Sequence, residues 1–173
     1  MPTLDEVRKQ IAACPHHYIF WTNKEIRALP KVLDKNEIIR AVTSGMMKNA
    51  TWLAVCTSRR LIFLNCGMFY GVRQVQLPLD RIQSIDHAST IFFGSIRVWD
   101  GASYFSIDMV NKKSIQPFVK ATEAAMEAAR NKKDVKPAAT VDIADQLERL
   151  AQLREKGHLT EEEFQSQKKK LLA

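Results

Sequence analysis

Cys14, His16 and His17 form the compact Cys/His group of this sequence, and zinc accepts those ligand types. A structural zinc needs four protein ligands at workable spacing, whereas Cys56, Cys66, His87 and His158 fall on expected strands, a turn and the distant tail. The three cysteines are odd in number and lack a CxxC spacing, which predicts a reducing compartment, and the strand cysteines read as small buried apolar side chains. Asp80, Asp86 and His87 are close in sequence, but Asp80 belongs to the expected turn before Ile82 and the other two to a strand end. The sequence contains no recognisable order of nucleophile, base and orienter, no Gly-rich phosphate loop and no HExxH. No catalytic residue, metal ligand or cofactor is assigned.

Anion binding is the other chemistry the residues permit. The formal net charge is +7, most of it between residues 36 and 136. Lys48 is the lysine of the expected first hairpin, Met46 to Ala50, and Arg59 and Arg60 lie on the following turn. One point charge cannot supply the convergent donors that a polyphosphate requires, so any lipid contact through Lys48, Arg59 and Arg60 is expected to be weak and nonspecific. The basic run from Lys132 to Lys136 is too short to predict specific nucleic-acid binding.

The elements that must carry these residues change period along the chain. Thr3 and Glu6 make a capping box for a short helix to about Cys14, closed by Pro15. Thr22 and Glu25 repeat it, with Trp21 and Ile26 in staple positions, for a second helix over Asn23 to Leu29 that Pro30 ends. From Glu37 come seven runs of strand type: Glu37 to Thr43, Trp52 to Thr57, Leu61 to Asn65, Arg73 to Leu79, Gln83 to His87, Ser95 to Trp99 and Tyr104 to Met109. Alternation in the last run puts Phe105, Ile107 and Met109 on one buried face. Asp100-Gly101 is a hairpin signal. A helical stripe through Ile115, Phe118, Val119, Thr122 and Met126 follows, with Ser114 as expected N-cap and Pro117 in the first turn. Residues 131–142 have linker composition. Ile143, Leu147, Leu150 and Leu153 then mark a helix that stops at Gly157, and Thr160 with Glu163 caps another, reaching Leu172.

Two stretches resemble known bacterial modules. Residues from about Glu25 to Arg130 resemble the YokE-like bacterial pleckstrin-homology domain, through Leu29-Pro30, Leu33, Glu37, Gly45, Thr57-x-Arg59-Arg60-Leu61-Ile62-Phe63, Ile82-x-x-Ile85 and Gly94-x-Ile96. Residues from Ile143 to Leu172 resemble the short C-terminal domain called SHOCT, through Leu147, Leu150, Leu153, Gly157, Leu159, Thr160, Glu163, Phe164, Lys168, Leu171 and Leu172. The first resemblance implies an antiparallel β-barrel or sandwich of about seven strands capped by a C-terminal helix, hence an α+β fold. The second implies an assembly module.

Together these features predict an N-terminal helical extension (1–22), a pleckstrin-homology-like domain (23–130), a linker (131–142) and a SHOCT hairpin (143–173). They predict a cytoplasmic, non-catalytic interaction protein, with Leu147, Leu150, Leu153, Leu159, Phe164, Leu171 and Leu172 as the assembly face. The expected partner is a second copy or another protein. A peripheral anionic-lipid binder and a small hydrolase or metal protein are the competing classes, and no specific nucleic acid or small-molecule substrate is expected.

Overall fold

The computed structural model describes residues 1–67, 71–134, 143–155 and 160–172. The chain divides into two compact units, Met1–Asn131 and Lys132–Ala173.

In the first unit, α1 (Leu4–Ala13) begins at the expected capping box: the Glu6 N–H donates to Thr3 Oγ1 at 3.2 Å and the Thr3 N–H to Glu6 Oε2 at 2.7 Å. Helix α2 spans Asn23–Val32 and departs from expectation twice. Pro30 does not end it. A helix interior can lose one N–H bond and continue, and Leu33 N–H still closes the last turn on the Leu29 carbonyl at 2.9 Å. Nor does Thr22 cap it: Glu25, expected to complete that box, instead accepts the Cys66 backbone N–H at 2.7 Å, and Trp21 stands in solvent rather than stapling Ile26.

The seven strands are β1 (Ile39–Met47), β2 (Ala50–Thr57), β3 (Arg60–Cys66), β4 (Val72–Pro78), β5 (Ser84–Ser89), β6 (Phe93–Trp99) and β7 (Tyr104–Asn111), each antiparallel to its neighbours. Their order is β4-β3-β2-β1-β7-β6-β5, two meanders joined where β7 returns beside β1. That joint has one registered pair, Met46 opposite Asp108. It is tight: a Cβ on Gly45 would stand 2.6 Å from the Asp108 carbonyl oxygen, so the strand needs glycine there. Gly101, at φ +96°, makes the expected turn between β6 and β7.

Helix α3 (Lys112–Asp134) closes the core. Ile115, Phe118, Val119 and Met126 pack with Phe63, Leu77, Ile85, Ile96 and Ile107, so both ends of the curled sheet share one core with the helix. Asn111, not Ser114, caps the helix start: its Oδ1 accepts the Lys113 N–H at 3.0 Å, while Ser114 turns back to the Asn111 carbonyl and Thr43. The helix therefore begins earlier than expected and Pro117 falls in its second turn. At its other end α3 runs to Asp134, into the stretch of linker composition; residues 135–142 lie outside the described residues.

The alternation expected for β7 breaks at Met109. Its backbone is left-handed, φ 53°, so the strand slips by one residue and Val110 takes the core position while Met109 faces solvent. A second apolar cluster lies on the far face of β1–β3, where Val42, Leu53, Val55, Ile62 and Leu64 are covered by Val7 and Ile11 of α1 and Leu29 of α2.

In the second unit, α4 (Ile143–Glu155) and α5 (Glu161–Leu172) pack against each other. Gly157, the expected helix stop, is outside the described residues. Among the described residues, no helix is long and apolar enough to cross a membrane.

Candidate functional site

The residues first considered for chemistry are occupied locally. Cys14 is buried, with its thiol 3.3 Å from the Gln10 carbonyl, and His17 Nδ1 lies 3.0 Å from the Cys14 carbonyl. Among the described residues no group of three or more His, Cys, Asp or Glu side chains is placed to hold a metal ion. Asp86 and His87 project from opposite faces of β5: Asp86 accepts the Trp99 indole N–H at 2.9 Å, and His87 Nε2 meets the Gln116 amide at 2.7 Å.

Lys48 and the arginines do not converge. Lys48 and Asn49, at φ 50° and 60°, form the two-residue turn between β1 and β2, whereas Arg59 and Arg60 follow the far end of β2. An eight-residue strand separates them, on the order of 25 Å. Arg60 is built into the fold. Its Nε donates to Glu37 Oε1 at 2.9 Å, its Nη2 to Glu37 Oε2 at 2.8 Å, and Nη2 also reaches Asp34 and the Val32 carbonyl. Burial alone would push the fully enclosed Glu37 carboxyl up; the hydrogen bonds from Arg60, the Asp34 N–H and the Thr57 hydroxyl together hold it below the usual carboxylate range. Arg59 is exposed and 3.7 Å from Asp34.

In the C-terminal hairpin, the α5 capping box forms as expected: Thr160 N–H donates to Glu163 Oε2 at 3.0 Å and Glu163 N–H to Thr160 Oγ1 at 3.3 Å. Phe164 is buried, with the Arg154 guanidinium 4.8 Å above its ring, and Arg154 also pairs with Glu161 at 3.2 Å across the turn. Leu147 and Leu150 are half-buried, and Leu153 keeps 40% of its surface exposed. Leu159 and the side chains of Leu171 and Leu172 lie outside the described residues.

The N-terminal aromatic segment has a structural part that sequence reasoning left open. Tyr18 bridges to Thr43 in parallel; its carbonyl accepts the Ser44 N–H at 3.1 Å, and the Phe20 N–H donates to Ser44 Oγ at 2.9 Å. The segment thus exchanges hydrogen bonds with β1. Its rings remain outside and stack, Tyr18 to Phe20 at 6.4 Å and Phe20 to Trp21 at 5.1 Å. The signal for the covering helices was present in β2 and β3, whose continuous apolar runs Trp52 to Cys56 and Leu61 to Leu64 mark strands buried on both faces.

A family model described as Bacterial PH domain matches residues 33–124, just over half of the chain, and one described as Short C-terminal domain matches residues 145–172. Similar solved structures include a DUF1696 family protein with a pleckstrin-homology domain from Shewanella loihica PV-4, at 15% identity and TM-score 0.43 over 62% of this chain and 93% of that one. A pleckstrin homology domain from Shewanella amazonensis SB2B is similar at 19% identity and TM-score 0.41, over 59% of this chain and 94% of that one. Comparison with curated proteins gives no match.

Proposed function

This chain belongs to the bacterial PH domain family, and from that premise we propose that it acts as a non-catalytic adaptor that assembles through its C-terminal hairpin. The observation that carries the reading is the incomplete cover of the hairpin's own apolar stripe. Two helices of 13 and 12 residues enclose too little to bury Leu147, Leu150 and Leu153 together, and Leu153 remains 40% exposed. A leucine stripe left in water is stabilised by a second apolar surface, and another copy of the hairpin offers a matching one. The second unit is compact in itself, and among the described residues the two core clusters of the first run from Val7 to Ala129. That division suits a module whose partner comes from elsewhere.

Leu153→Asp tests the reading with the hairpin kept intact, because the side chain is already partly in water. A charge at a buried interface costs several kcal/mol when unpaired, roughly 2 to 4 here, enough to split a micromolar assembly. Light scattering should show a lower mass for the variant than for the wild type, with an unchanged melt of the β-domain. An unchanged mass for Leu153→Asp and for Leu150→Asp with Phe164→Asp would remove the hairpin as assembly element.

A further inference from the structure

Among the described residues, Thr22 Oγ1 and Glu25 Oε2 are the buried side-chain atoms left without a hydrogen-bond partner. Only the second belongs to a charged group. Glu25 is 4% exposed, and its other oxygen, Oε1, is committed to the Cys66 N–H at 2.7 Å. The positive end of α2 offsets part of the charge, since Glu25 lies in its first turn, but it supplies no donor to Oε2. An enclosed carboxylate oxygen with no donor is costly, so a donor from outside the chain is favoured there.

Glu25 also lines a cleft of about 540 Å³, shared by the start of α2 with β2 and β3 and bordered by Trp21, Lys24, Thr51, Asn65 and Cys66. A volume of that order suits a small molecule or one side chain. The Asn65 amide nitrogen donates to the Thr51 carbonyl at 2.6 Å, which leaves Asn65 Oδ1 as a further acceptor on the cleft. Trp21, 79% exposed, adds an indole, the ring whose face attracts cations best. Lys24 is exposed on the same cleft and forms no salt bridge among the described residues, so the neighbouring cation does not neutralise Glu25.

We propose that this cleft binds a primary alkylammonium group. One uncommitted carboxylate oxygen suits the point charge of an ammonium better than a guanidinium fork, which engages both oxygens at once. The three N–H donors of an ammonium serve Glu25 Oε2 and Asn65 Oδ1 with one to spare, and its alkyl chain lies against the Trp21 ring. Oε2 is covered by its surroundings, and Trp21 and Lys24, both exposed, are the lining side chains that yield most readily to admit a ligand. A free amine and the lysine side chain of a partner protein offer the same group. The cleft lies wholly within Met1–Asn131, so the site stands or falls independently of assembly by the hairpin.

An NMR titration of the isotopically labelled full chain tests it. At constant ionic strength, n-butylammonium should shift the Cys66 amide and the Trp21 indole N–H saturably, with a Kd on the order of 1 mM. Tetramethylammonium, charged but without N–H donors, and n-butanol, uncharged, should bind at least about tenfold more weakly. Glu25→Gln keeps an acceptor for the Cys66 N–H, removes the charge, and should weaken binding by at least about tenfold. Trp21→Ala, at a solvated position, should weaken it about two- to fivefold with an unchanged melt, and Lys24→Gln, which removes a like charge, should tighten it. Tighter binding of Nα-acetyl-lysine methylamide than of n-butylammonium supports the side chain of a partner as the natural occupant, and the reverse order supports a free amine. The proposal is overturned if n-butylammonium gives no saturable shift up to about 20 mM, if tetramethylammonium or n-butanol binds as well, or if folded Glu25→Gln binds it as the wild type does. Should Glu25→Gln fail to fold, unchanged binding in both Trp21→Ala and Lys24→Gln overturns it instead.

Discussion

Glu37 is the residue whose chemistry the fold uses most directly. Its carboxylate receives Arg60, Thr57 and the Asp34 backbone in an enclosed position, and its pKa is held below the ordinary range. A depressed folded pKa means the unfolded chain takes up the proton first as pH falls. The stabilisation is therefore complete above the ordinary carboxylate value, about 4.3, and is lost as pH falls from there through the lower folded value. Glu37→Gln should cost about 3 kcal/mol at pH 7, the low end for breaking a buried pair because Arg60 keeps Asp34. Thermal melts should show the gap between wild type and variant narrowing below about pH 4; a gap independent of pH would contradict the account. The thiols give a second residue-scale test. Burial pushes Cys56 up to about 12 and raises Cys14 and Cys66, but Cys66 is only partly covered. A disulfide reagent at pH 8 should modify Cys66 slowly in the native chain and Cys14 and Cys56 only after unfolding; prompt reaction at all three would show that these sites open readily.

At the scale of elements, the N-terminal helices are part of the fold's cover and not an appendage. Val7, Ile11 and Leu29 seal apolar side chains on the far face of β1–β3. Removing residues 1–14 should therefore expose Val42, Val55 and Ile62 and give aggregation or a midpoint lower by well over 5 °C, read by melting and light scattering. A truncated chain as soluble and stable as the full one would sink that assignment. The strands, their antiparallel order and the capping boxes of α1 and α5 were legible because alternation and Thr-x-x-Glu spacing are local signals. The misses depended on tertiary demands. Glu25 left its expected cap to bond the Cys66 N–H, Asn111 displaced Ser114 as cap, and Met109 adopted a left-handed backbone that alternation cannot anticipate. Lys48, Arg59 and Arg60 were grouped as one lipid contact by charge alone, although the expected strand Trp52 to Thr57 already lay between them. Leucines at helical spacing disclosed the hairpin, whereas the large apolar side chains left in water, among them Phe20, Trp21, Ile91, Phe92 and Met109, share no sequence period.

For the whole molecule, the division into a PH-type unit and a short helical hairpin predicts two separable behaviours. Among the described residues both core clusters of the first unit lie between Val7 and Ala129, so residues 1–136 should melt cooperatively on their own. Assembly should belong to the hairpin. Size-exclusion chromatography with light scattering, run on the full chain and on residues 1–136 at matched concentration, measures this most directly. The full protein should have a multiple of the 19.7 kDa chain mass and the truncation should be a monomer; the same number of chains in both would rule out the hairpin as the assembly element.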